Sequence, residues 1–455
     1  MKTCSQDSEQ LPASSANLLA TTLSTFFATR LKPGSRLCVA LSGGCDSVVM
    51  LHALSRLAIS SEIPFSLSAV HVHHGISPNA DAWADFCTTF CQRCAVPLSI
   101  VHVQVPRDSS EGLEAAARRE RHAVFSECAA DWLVLAHHRD DQAETVLLKL
   151  LRGAGVAGAA GMLAERPQRS GPSLVRPFLD VPRSAIKDYA VEHALRWIDD
   201  ESNDNLHFRR NFLRHDVLPR LAEKFSGAQE SLARAAGHFA EGAQLLDDLA
   251  AIDHAALISS SGRIRLDGLN ALSPARARNL LRFVWLKAGF RAPDTRWIDE
   301  ALKQLATADT LSETCLSTTD GEIHVYRGEL YLLKHTPAVS AGPLRWSGEI
   351  ELPWMGGRVR FVPATGSGIS RNVLDQGEVS LCTRQGGERL QPDLNRPRRT
   401  LRNLLQENGV PPWQRERLPF LWCNGQLAWV GGLGVDSAFA CASGEEGLMP
   451  IWEPE

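Results

Sequence analysis

The chain has 455 residues, of which 44% are hydrophobic, so it is long enough for two to four domains with cores of their own. Its net charge of −4 does not exclude a nucleic-acid partner, because basic residues can cluster on one surface of an acidic protein. It has no basic, leader-length apolar N-terminus and no stretch of about 18 uncharged apolar residues, so we expect neither a secretory signal nor a transmembrane helix. Eleven cysteines without a disulfide-like framework predict reduced thiols in the cytoplasm.

The first half of the chain predicts an α/β fold with a parallel sheet. From residue 36 to about residue 215, short apolar strands alternate with helical segments, which is typical of parallel pairing. The predicted strands cover 36–41, 66–72, 98–105 and 132–137, and the predicted helices cover 46–57, 81–94 and 111–129. Because ligands bind beyond the carboxyl ends of such strands, the residues that follow each strand are the candidate site residues.

The pattern changes near residue 216. From there to about residue 310 the sequence predicts helices, including one at 272–290 that starts at a Ser-Pro pair and ends at a glycine. Residues 321–335 then predict a β-hairpin. This stretch is therefore expected to form a mostly helical middle domain.

The last quarter of the chain predicts a small β-rich domain. Residues 336–344 are rich in Pro, Ala and Ser and predict a linker, and one helix is expected at 398–409. The sequence thus predicts three domains, at 1–215, 216–340 and 345–455.

The sequence Ser-Gly-Gly-Cys-Asp-Ser separates the first predicted strand from the first predicted helix. Gly43 and Gly44 allow positive φ and a close approach of the backbone to a ligand, and the amides that follow point at an anion from a helix N-terminus. Ser42 and Ser47 add hydroxyl donors. Asp46 would repel a bare phosphate, which indicates a metal ion or a reacting group nearby. The alternative is an ordinary capping turn.

Three histidines follow the second predicted strand. His71, His73 and His74 have no Cys or acid nearby to complete a zinc ligand set, so the sequence favours a strand-end turn that shapes a nucleotide pocket. On the 111–129 helix, Arg118 and Arg121 lie on one face with a glutamate. The two arginines either form ion pairs with that glutamate within the helix or bind nucleotide phosphate.

Carboxylates follow the fourth predicted strand. Asp141 and Glu144 are three residues apart and share one helix face, with Asp140 beside the turn. They either cap the helix or converge with Asp46 on Mg²⁺ or on a cationic amine. Further along, Arg210, Asn211 and Arg214 enter a helix after an Asp-Glu-Ser-Asn stretch, and their types suit phosphate and base-edge contacts.

The loop resembles the pyrophosphate-binding loop, or PP-loop, of the ATP pyrophosphatases, which cleave ATP between the α and β phosphates. The motifs SGGCDS, HVHHGIS, E-x-x-A-R-x-x-R, HHRDDQAET, RGAGVAG, DESN and RRNFLR occur in the order seen in tRNA(Ile)-lysidine synthetases. The segments LCTRQGGERLQP and RRTLRNLLQENG resemble the last domain of the three-domain members. The resemblance implies an N-terminal catalytic domain of the adenine nucleotide alpha hydrolase type.

The resemblance also implies a reaction. These enzymes adenylate the oxygen on carbon 2 of the wobble cytidine in a tRNA(Ile) with a CAU anticodon, using ATP, and the ε-amine of L-lysine then displaces AMP. It implies ATP and Mg²⁺ as cofactors, with Asp46 and Asp141 on the metal. The implied nucleotide-binding residues are Ser42, Gly43, Gly44, Cys45, Asp46, Ser47 and His73. The implied catalytic residues are Asp46, Asp141, Glu144 and Arg118.

A basic cluster supports an RNA partner. Five arginines and one acid lie between residues 389 and 402, and such a cluster in an acidic chain favours phosphate binding over a merely solvated face. The predicted tRNA-binding residues are Arg210, Asn211, Arg214, Arg396, Arg398, Arg399 and Arg402. No membrane partner is expected, and a homodimer stays an open alternative.

Three other functions stay open at this point. A PP-loop tRNA thiolase would use sulfur as the nucleophile, and Cys91 and Cys94 would then have a catalytic role, although with Cys87 they form an apolar helix stripe. An amidoligase acting on a small metabolite would not need the basic C-terminal cluster. A non-catalytic RNA-binding protein would not need Asp46, Asp141 and Glu144.

Overall fold

The computed structural model describes residues 15–106, 108, 112–168, 170–201, 205, 208–308, 314–335 and 342–454. Within these ranges the side chain of Glu114 is not described, and Ser202, Asn203 and most of the predicted linker at 336–344 lie outside them. The chain divides into two compact units, Met1–Leu249 and Ala250–Glu455. The three-domain division stays a prediction.

The first unit contains a six-stranded sheet in the order β3-β2-β1-β4-β6-β5. The pairs that join β1, β2, β3, β4 and β6 are parallel, and only β5 is antiparallel to its neighbour. This confirms the predicted parallel sheet and adds two short strands that the sequence did not predict. The strands are β1 Ser35–Ala40, β2 Phe65–His73, β3 Leu98–His102, β4 Trp132–Val134, β5 Glu165–Arg166 and β6 Ser173–Val175.

Helices cover this sheet because the connections between parallel strands must cross over its faces. The helix that follows β1 is almost wholly buried in its first three turns and packs against the N-terminal helix and the one at 183–192. The helices are α1 Ser15–Ala28, α2 Cys45–Ser60, α3 Ala80–Arg93, α4 Leu113–Ser126, α5 Arg139–Leu150, α6 Val156–Ala159, α7 Arg183–Glu192, α8 Arg209–Phe212 and α9 Leu218–Lys224, with a π-helical turn at Leu213–Val217.

The strand order places the candidate loop at a switch point of the sheet. The chain runs outward from β1 through β2 and β3 on one side, and through β4 and β6 on the other. Segments that leave the carboxyl ends of β1, β2 and β4 therefore meet at one edge, where α/β sheets bind their ligands. These segments are Leu41–Gly44, His74–Asn79 and Leu135–His138.

The second unit begins inside the long helix α10 Ala228–Leu257. Helices and a small antiparallel sheet follow, and the predicted hairpin and the predicted helix at 272–290 are both confirmed. Ser273 occupies the N-cap position, although its side chain makes no capping hydrogen bond. The elements are β7 Ile264–Arg265, α11 Leu266–Ala271, α12 Pro274–Lys287, α13 Thr295–Thr307, β8 Cys315–Ser317, β9 Gly321–Tyr326 and β10 Glu329–Lys334.

The remainder of the second unit is β-rich, as predicted, and has two hydrophobic clusters of its own. The predicted helix at 398–409 is shorter in the structure, because a strand pair occupies its first residues. The elements are β11 Leu344–Trp346, β12 Glu351–Trp354, β13 Gly357–Thr365, β14 Ile369–Ser370, α14 Arg371–Gln376, β15 Val379–Cys382, β16 Arg389–Leu390, β17 Arg399–Thr400, α15 Leu401–Glu407, α16 Pro412–Arg415, β18 Phe420–Cys423, β19 Gln426–Val430, β20 Gly434–Val435 and β21 Glu446–Pro454.

The sequence predicted reduced thiols and no transmembrane helix. The ten cysteines within the described residues are all free thiols. Over the same residues, no helix combines the length and the apolar character needed to cross a membrane.

Candidate active site

The loop after β1 is held together by its own serine hydroxyls. The Ser47 hydroxyl donates to the carbonyl of Gly44 at 3.0 Å and lies 3.1 Å from the Ser42 hydroxyl. The backbone amide of Ser42 donates to the Ser47 hydroxyl at 3.2 Å. Gly43 has φ +89°, and a Cβ there would lie 2.5 Å from Cδ1 of Ile198. The loop therefore needs glycine at position 43.

Gly44 does not adopt the positive φ that the sequence predicted. It is the N-cap of α2 with φ −71° and ψ 161°, an extended conformation that any residue can adopt, because the N-cap position lies outside the helix. The next residue, Cys45, is buried, and burial together with the neighbouring Asp46 raises its pKa to about 11. Its thiol is therefore protonated at neutral pH.

Asp46 has an oxygen without a partner. Its Oδ1 is buried and makes no hydrogen bond to any described residue, while its Oδ2 lies 3.6 Å from Nε2 of His138. A buried carboxylate oxygen that no protein group satisfies costs free energy unless a ligand supplies the contact. Asp46 therefore fits the metal-binding role that was predicted for it.

His138 joins the loop to the carboxylates of α5. Its side chain is 1% exposed, and Nε2 lies 3.3 Å from Oδ2 of Asp141 as well as near Asp46. Burial opposes the charged imidazolium, but the carboxylates of Asp46 and Asp141 outweigh this effect and raise the pKa of His138. The backbone amide of His138 also donates to Asp141 at 3.1 Å and so caps α5.

Asp141 and Glu144 form a four-membered ion cluster with Arg210 and Arg214. Arg210 donates from Nε to Glu144 at 2.7 Å, and Arg214 does so at 2.6 Å. Both arginines also donate from NH2 to Oδ1 of Asp141 at 3.0 Å. Glu144 is 1% exposed and Asp141 11%, so the arginines supply the opposite charge that two buried carboxylates need.

The ion cluster gives Arg210 and Arg214 partners other than the predicted RNA. They lie four residues apart, Arg210 on α8 and Arg214 on the π-helical turn, so that both guanidiniums point to the same pair of acids. Their role in tRNA binding stays a prediction. Asn211 is the third predicted residue in this segment. Its side-chain amide donates to the backbone carbonyl of Asn205 at 3.0 Å.

One cavity of about 430 Å³ connects these groups. Both carboxylates that were predicted to bind metal reach it, as does Arg210 from the ion cluster. Arg118 and Arg121 on α4 and Arg176 after β6 also line it, so the cavity combines the loop at the start of α2 with positive charge. Its lining includes Ser42, Gly44, Asp46, Ser47, His74, Arg118, Arg121, Asp141, Arg176 and Arg210.

A second, larger cavity of about 830 Å³ shares Arg210 and Arg118 with the first. Two acids, Glu144 and Asp247, line it, and basic residues outnumber them. Its basic lining residues are Arg118, Lys149, Arg152, Arg166, Arg176, Arg209 and Arg210. A surface of this charge suits a polyanion.

His73 does not line the cavity at the loop. Its Nε2 lies 2.9 Å from Asp81, and its ring packs on His102 at a centroid distance of 4.4 Å. His71 from β2 and His74 from the turn after β2 line the cavity instead. His137 also lines it, and burial lowers the pKa of His137 to about 3, so this imidazole is neutral.

The cysteines that raised the possibility of thiolase chemistry are buried. Cys87 and Cys91 are 0% and 1% exposed, and burial raises the pKa of each to about 12. Cys94 is half-buried, and burial raises its pKa as well. Thiols of this kind are poor nucleophiles at neutral pH.

Comparisons with known proteins agree with these features. A family model described as a PP-loop domain matches residues 16–221. Two further models match later segments of the chain, a TilS substrate binding domain at 265–331 and a TilS substrate C-terminal domain at 379–452.

Curated relatives match over nearly the full length. The tRNA(Ile)-lysidine synthase of Aromatoleum aromaticum is 46% identical over 94% of this chain and 99% of the relative. Those of an Azoarcus species and of Nitrosomonas europaea are 44% and 41% identical, covering 94% and 93% of both chains respectively. The chain belongs to the tRNA(Ile)-lysidine synthase family. It is therefore an ATP-using, tRNA-modifying ligase with a PP-loop.

Two residues of this synthase site were missed from the sequence. One is His138, whose place directly before the helix that carries the predicted carboxylates is the sequence signal for its role. Arg176 follows β6, a strand that was not predicted, and its side chain is buried against the cavity. Burial and the neighbouring Arg166 lower its pKa to about 10.

The C-terminal arginines of the synthase differ in how freely they can meet RNA. Arg398 donates to the fully buried Asp436 at 2.7 Å, and Arg399 pairs with Glu407. Arg396 lies 3.7 Å from the exposed Asp393. Arg402 is exposed and makes no hydrogen bond or ion pair with the described residues. Arg398 is exposed as well but is paired with a buried carboxylate, whereas Arg396 and Arg402 have no buried partner among the described residues.

We expect Gly43→Ala to destabilise the first unit, because the alanine would adopt positive φ and its Cβ would overlap Ile198. The free energy of unfolding should fall by about 1–3 kcal/mol. Gly44→Ala is the matched control and should change it by about 0.5 kcal/mol or less, since the nearest atom to its Cβ would be 3.5 Å away. Urea denaturation followed by circular dichroism measures both, and equal midpoints would contradict this account.

We expect His138 to make stability depend on pH. Its folded pKa is raised above the ordinary value of 6.5, so its contribution is fully present below pH 6.5 and is lost as the pH rises through the folded pKa. The difference in urea midpoint between the native chain and His138→Asn should therefore shrink as the pH rises from about 6 to about 9. A difference that grows with pH would contradict the raised pKa.

Proposed function

We propose that this synthase joins L-lysine to carbon 2 of the wobble cytidine in a tRNA(Ile) with a CAU anticodon, through an adenylated cytidine intermediate. The supporting observation is that one cavity contains both the PP-loop with Asp46 and the carboxylate of Asp141 with its guanidinium partner. Two chemical steps, activation of the base by ATP and attack by an amine, can then occur without moving the base between sites.

The first step needs a cradle for the departing pyrophosphate. The loop amides lie at the N-terminus of α2, where the helix dipole favours an anion, and Ser42 and Ser47 hold the loop in shape. Arg118, Arg121 and Arg176 line the same cavity and stabilise phosphate charge. In this step the cytosine O2 attacks the α phosphorus, the bond between the α and β phosphates breaks, and pyrophosphate leaves.

Mg²⁺ fits best at Asp46. Its buried Oδ1 has no partner among the described residues, whereas both oxygens of Asp141 already accept hydrogen bonds, Oδ1 from the arginines and Oδ2 from the His138 amide. Asp141 would therefore have to exchange one of these bonds to join Asp46 on the ion. The bound ion would neutralise phosphate charge as the α–β bond breaks.

The lysine step uses the ion cluster. We assign Asp141 and Glu144 to the amine of lysine, as the sequence predicted. Arg210 is the more exposed of the two arginines, 33% against 22% for Arg214, and it lines both cavities. An incoming amine can thus replace the contact of Arg210, while Arg214 keeps its hydrogen bonds to Glu144 and holds this carboxylate in position.

The second step completes the exchange of atoms. The uncharged ε-amine attacks carbon 2, the bond from carbon 2 to the adenylated oxygen breaks, and AMP leaves with that oxygen. The amine loses a proton, which a carboxylate at the site can accept. Asp141 is the accessible candidate for this proton, because Glu144 is almost completely buried.

We assign the tRNA to the larger basic cavity and to the C-terminal arginines. The cavity lined by Lys149, Arg152 and Arg209 lies next to the ion cluster, so a nucleotide bound there can reach the PP-loop cavity. The stem-loop on either side of that nucleotide needs a wider basic surface, which Arg396 and Arg402 offer.

The defining experiment measures the incorporation of lysine into tRNA. The full chain is incubated with ATP, Mg²⁺, radiolabelled lysine and tRNA transcripts, and label should enter only the tRNA(Ile) with the CAU anticodon. Entry of label into tRNA(Met), or no entry at all, would refute the proposal. If sulfur from a donor were incorporated in place of lysine, the thiolase alternative would be correct.

We expect Asp46→Asn to reduce lysine incorporation by about 10²–10³-fold or more, because the loop loses the charge that holds the metal. Binding of tRNA, measured by filter retention, should change little. Asp188→Asn is the control, since this carboxylate lies on the exposed face of α7 away from the cavity. Loss of tRNA binding in Asp46→Asn would indicate that Asp46 has a structural role instead.

We expect the double variant Arg396→Ala/Arg402→Ala to weaken tRNA binding and to reduce its dependence on salt. Each lost phosphate contact should lower the slope of log K against log salt by about 0.7–0.9. Arg345→Ala/Arg371→Ala is the matched control, with two exposed arginines elsewhere in the same unit. An unchanged slope in Arg396→Ala/Arg402→Ala would remove these residues from the RNA surface.

A further inference from the structure

The small sheet β8–β9–β10 has two faces of different character. Leu316, Ile323 and Val325 point into the hydrophobic core of the second unit. Side chains alternate along a strand, so Cys315 on β8 and Glu322 and His324 on β9 share the opposite face. Cys315 pairs with His324 across the two strands, which places these side chains side by side.

The three side chains form a compact group of metal-binding atoms. Sγ of Cys315 lies 3.6 Å from Nε2 of His324, and the same nitrogen lies 2.7 Å from Oε2 of Glu322. One ligand atom from each residue lies within 4.8 Å of the others. Cys315 is exposed and His324 is 12% exposed, so an ion can reach the group from solvent and be partly enclosed once bound.

We propose that Cys315, Glu322 and His324 bind one zinc ion. A thiolate, an imidazole and a carboxylate are all ligands that Zn²⁺ accepts, at bond lengths of about 2.0–2.3 Å. Tetrahedral geometry at these lengths separates neighbouring ligand atoms by about 3.3–3.6 Å. The Cys315–His324 distance of 3.6 Å meets this value. The Glu322 carboxylate, 2.7 Å from His324 and within 4.8 Å of Cys315, must move to take its place around the ion. On binding, the thiol of Cys315 releases its proton to solvent and a sulfur–zinc bond forms.

His335 supports the carboxylate ligand. Its Nδ1 lies 3.1 Å from Oε1 of Glu322, the oxygen that does not face His324. Its Nε2 contacts the carbonyl of Thr318 and lies 3.2 Å from the hydroxyl of Ser317. Metal sites in proteins commonly have such outer contacts, which orient a ligand and are worth about 10–100-fold in affinity. His335 thus acts as a positioning residue.

The ion would fix one side of an aromatic contact. The ring of Trp413 on α16 packs against His324 at a centroid distance of 4.4 Å, and against Tyr331 at 5.1 Å. Arg415 from the same helix donates to the hydroxyl of Tyr326 at 3.3 Å. A zinc ion that holds His324 in place would therefore stabilise the packing of α16 on this sheet. This effect concerns the second unit alone and does not depend on the chemistry at the PP-loop.

The test measures zinc in the intact chain. The full-length protein is equilibrated with Zn²⁺ in excess Mg²⁺, which keeps zinc from the carboxylates of the loop, and is then desalted. Elemental analysis should give about one zinc per chain. Cys315→Ser and Glu322→Gln should each lower retained zinc at least about tenfold, with unchanged circular dichroism. Cys382→Ser removes a half-buried thiol elsewhere in the same unit; it is the control and should retain the ion.

Cobalt provides a second measurement that reports on the ligands. With Co²⁺ as the probe, the native chain should show a sulfur-to-cobalt charge-transfer band that Cys315→Ser lacks and Cys382→Ser keeps. A native chain that retains no zinc would overturn the proposal. So would a charge-transfer band that survives in Cys315→Ser, because the thiolate would then come from another cysteine.

Discussion

Two nearly buried carboxylates, Asp141 and Glu144, require two guanidiniums, and the site in the first unit is organised by that requirement. Removing such charges from water is costly, and the cost is recovered only when every charge is paired and hydrogen-bonded. Arg210 and Arg214 provide this, and so the segment that carries them must lie against the N-terminal half of α5. Arg210 thereby lines the cavity at the edge of the sheet where β1 and β4 end.

The ion cluster also gives the acids of the site different partners. Asp141 accepts hydrogen bonds on both oxygens, and its charge contributes to the raised pKa of His138. Asp46 stands on the other side of His138 with an oxygen that no described residue satisfies. One carboxylate is therefore held by arginine and the other is left for a ligand. Arrangements of this kind keep polar groups in place before the substrate arrives, so that less reorganisation is needed during the reaction.

Much of this architecture was predictable, because periodicity and turn residues are local signals. Alternating apolar segments predicted the parallel strands β1 to β4, and the glycine at position 43 predicted a left-handed turn. Local signals did not determine what depends on neighbours in space. Gly44 is extended because it is the N-cap of α2, and His73 lies beside Asp81 and outside the lining of the loop cavity, so its role in nucleotide binding stays a prediction. Strands β5 and β6 are only two and three residues long, too short for periodicity to detect.

The sequence by itself determined the chemistry that the chain can contain: a PP-loop, two pairs of acids and arginines, and the ordered motifs of one family. Motifs carry that information because chemistry needs particular residue types at short spacings. Only the tertiary structure decided which groups meet. The partners of Asp141 and Glu144 lie 66 to 73 residues away along the chain, and Cys315 meets His324 through strand pairing. Burial then strengthened the ion pairs of Asp141 and Glu144, because two opposite charges attract each other more strongly when water is excluded.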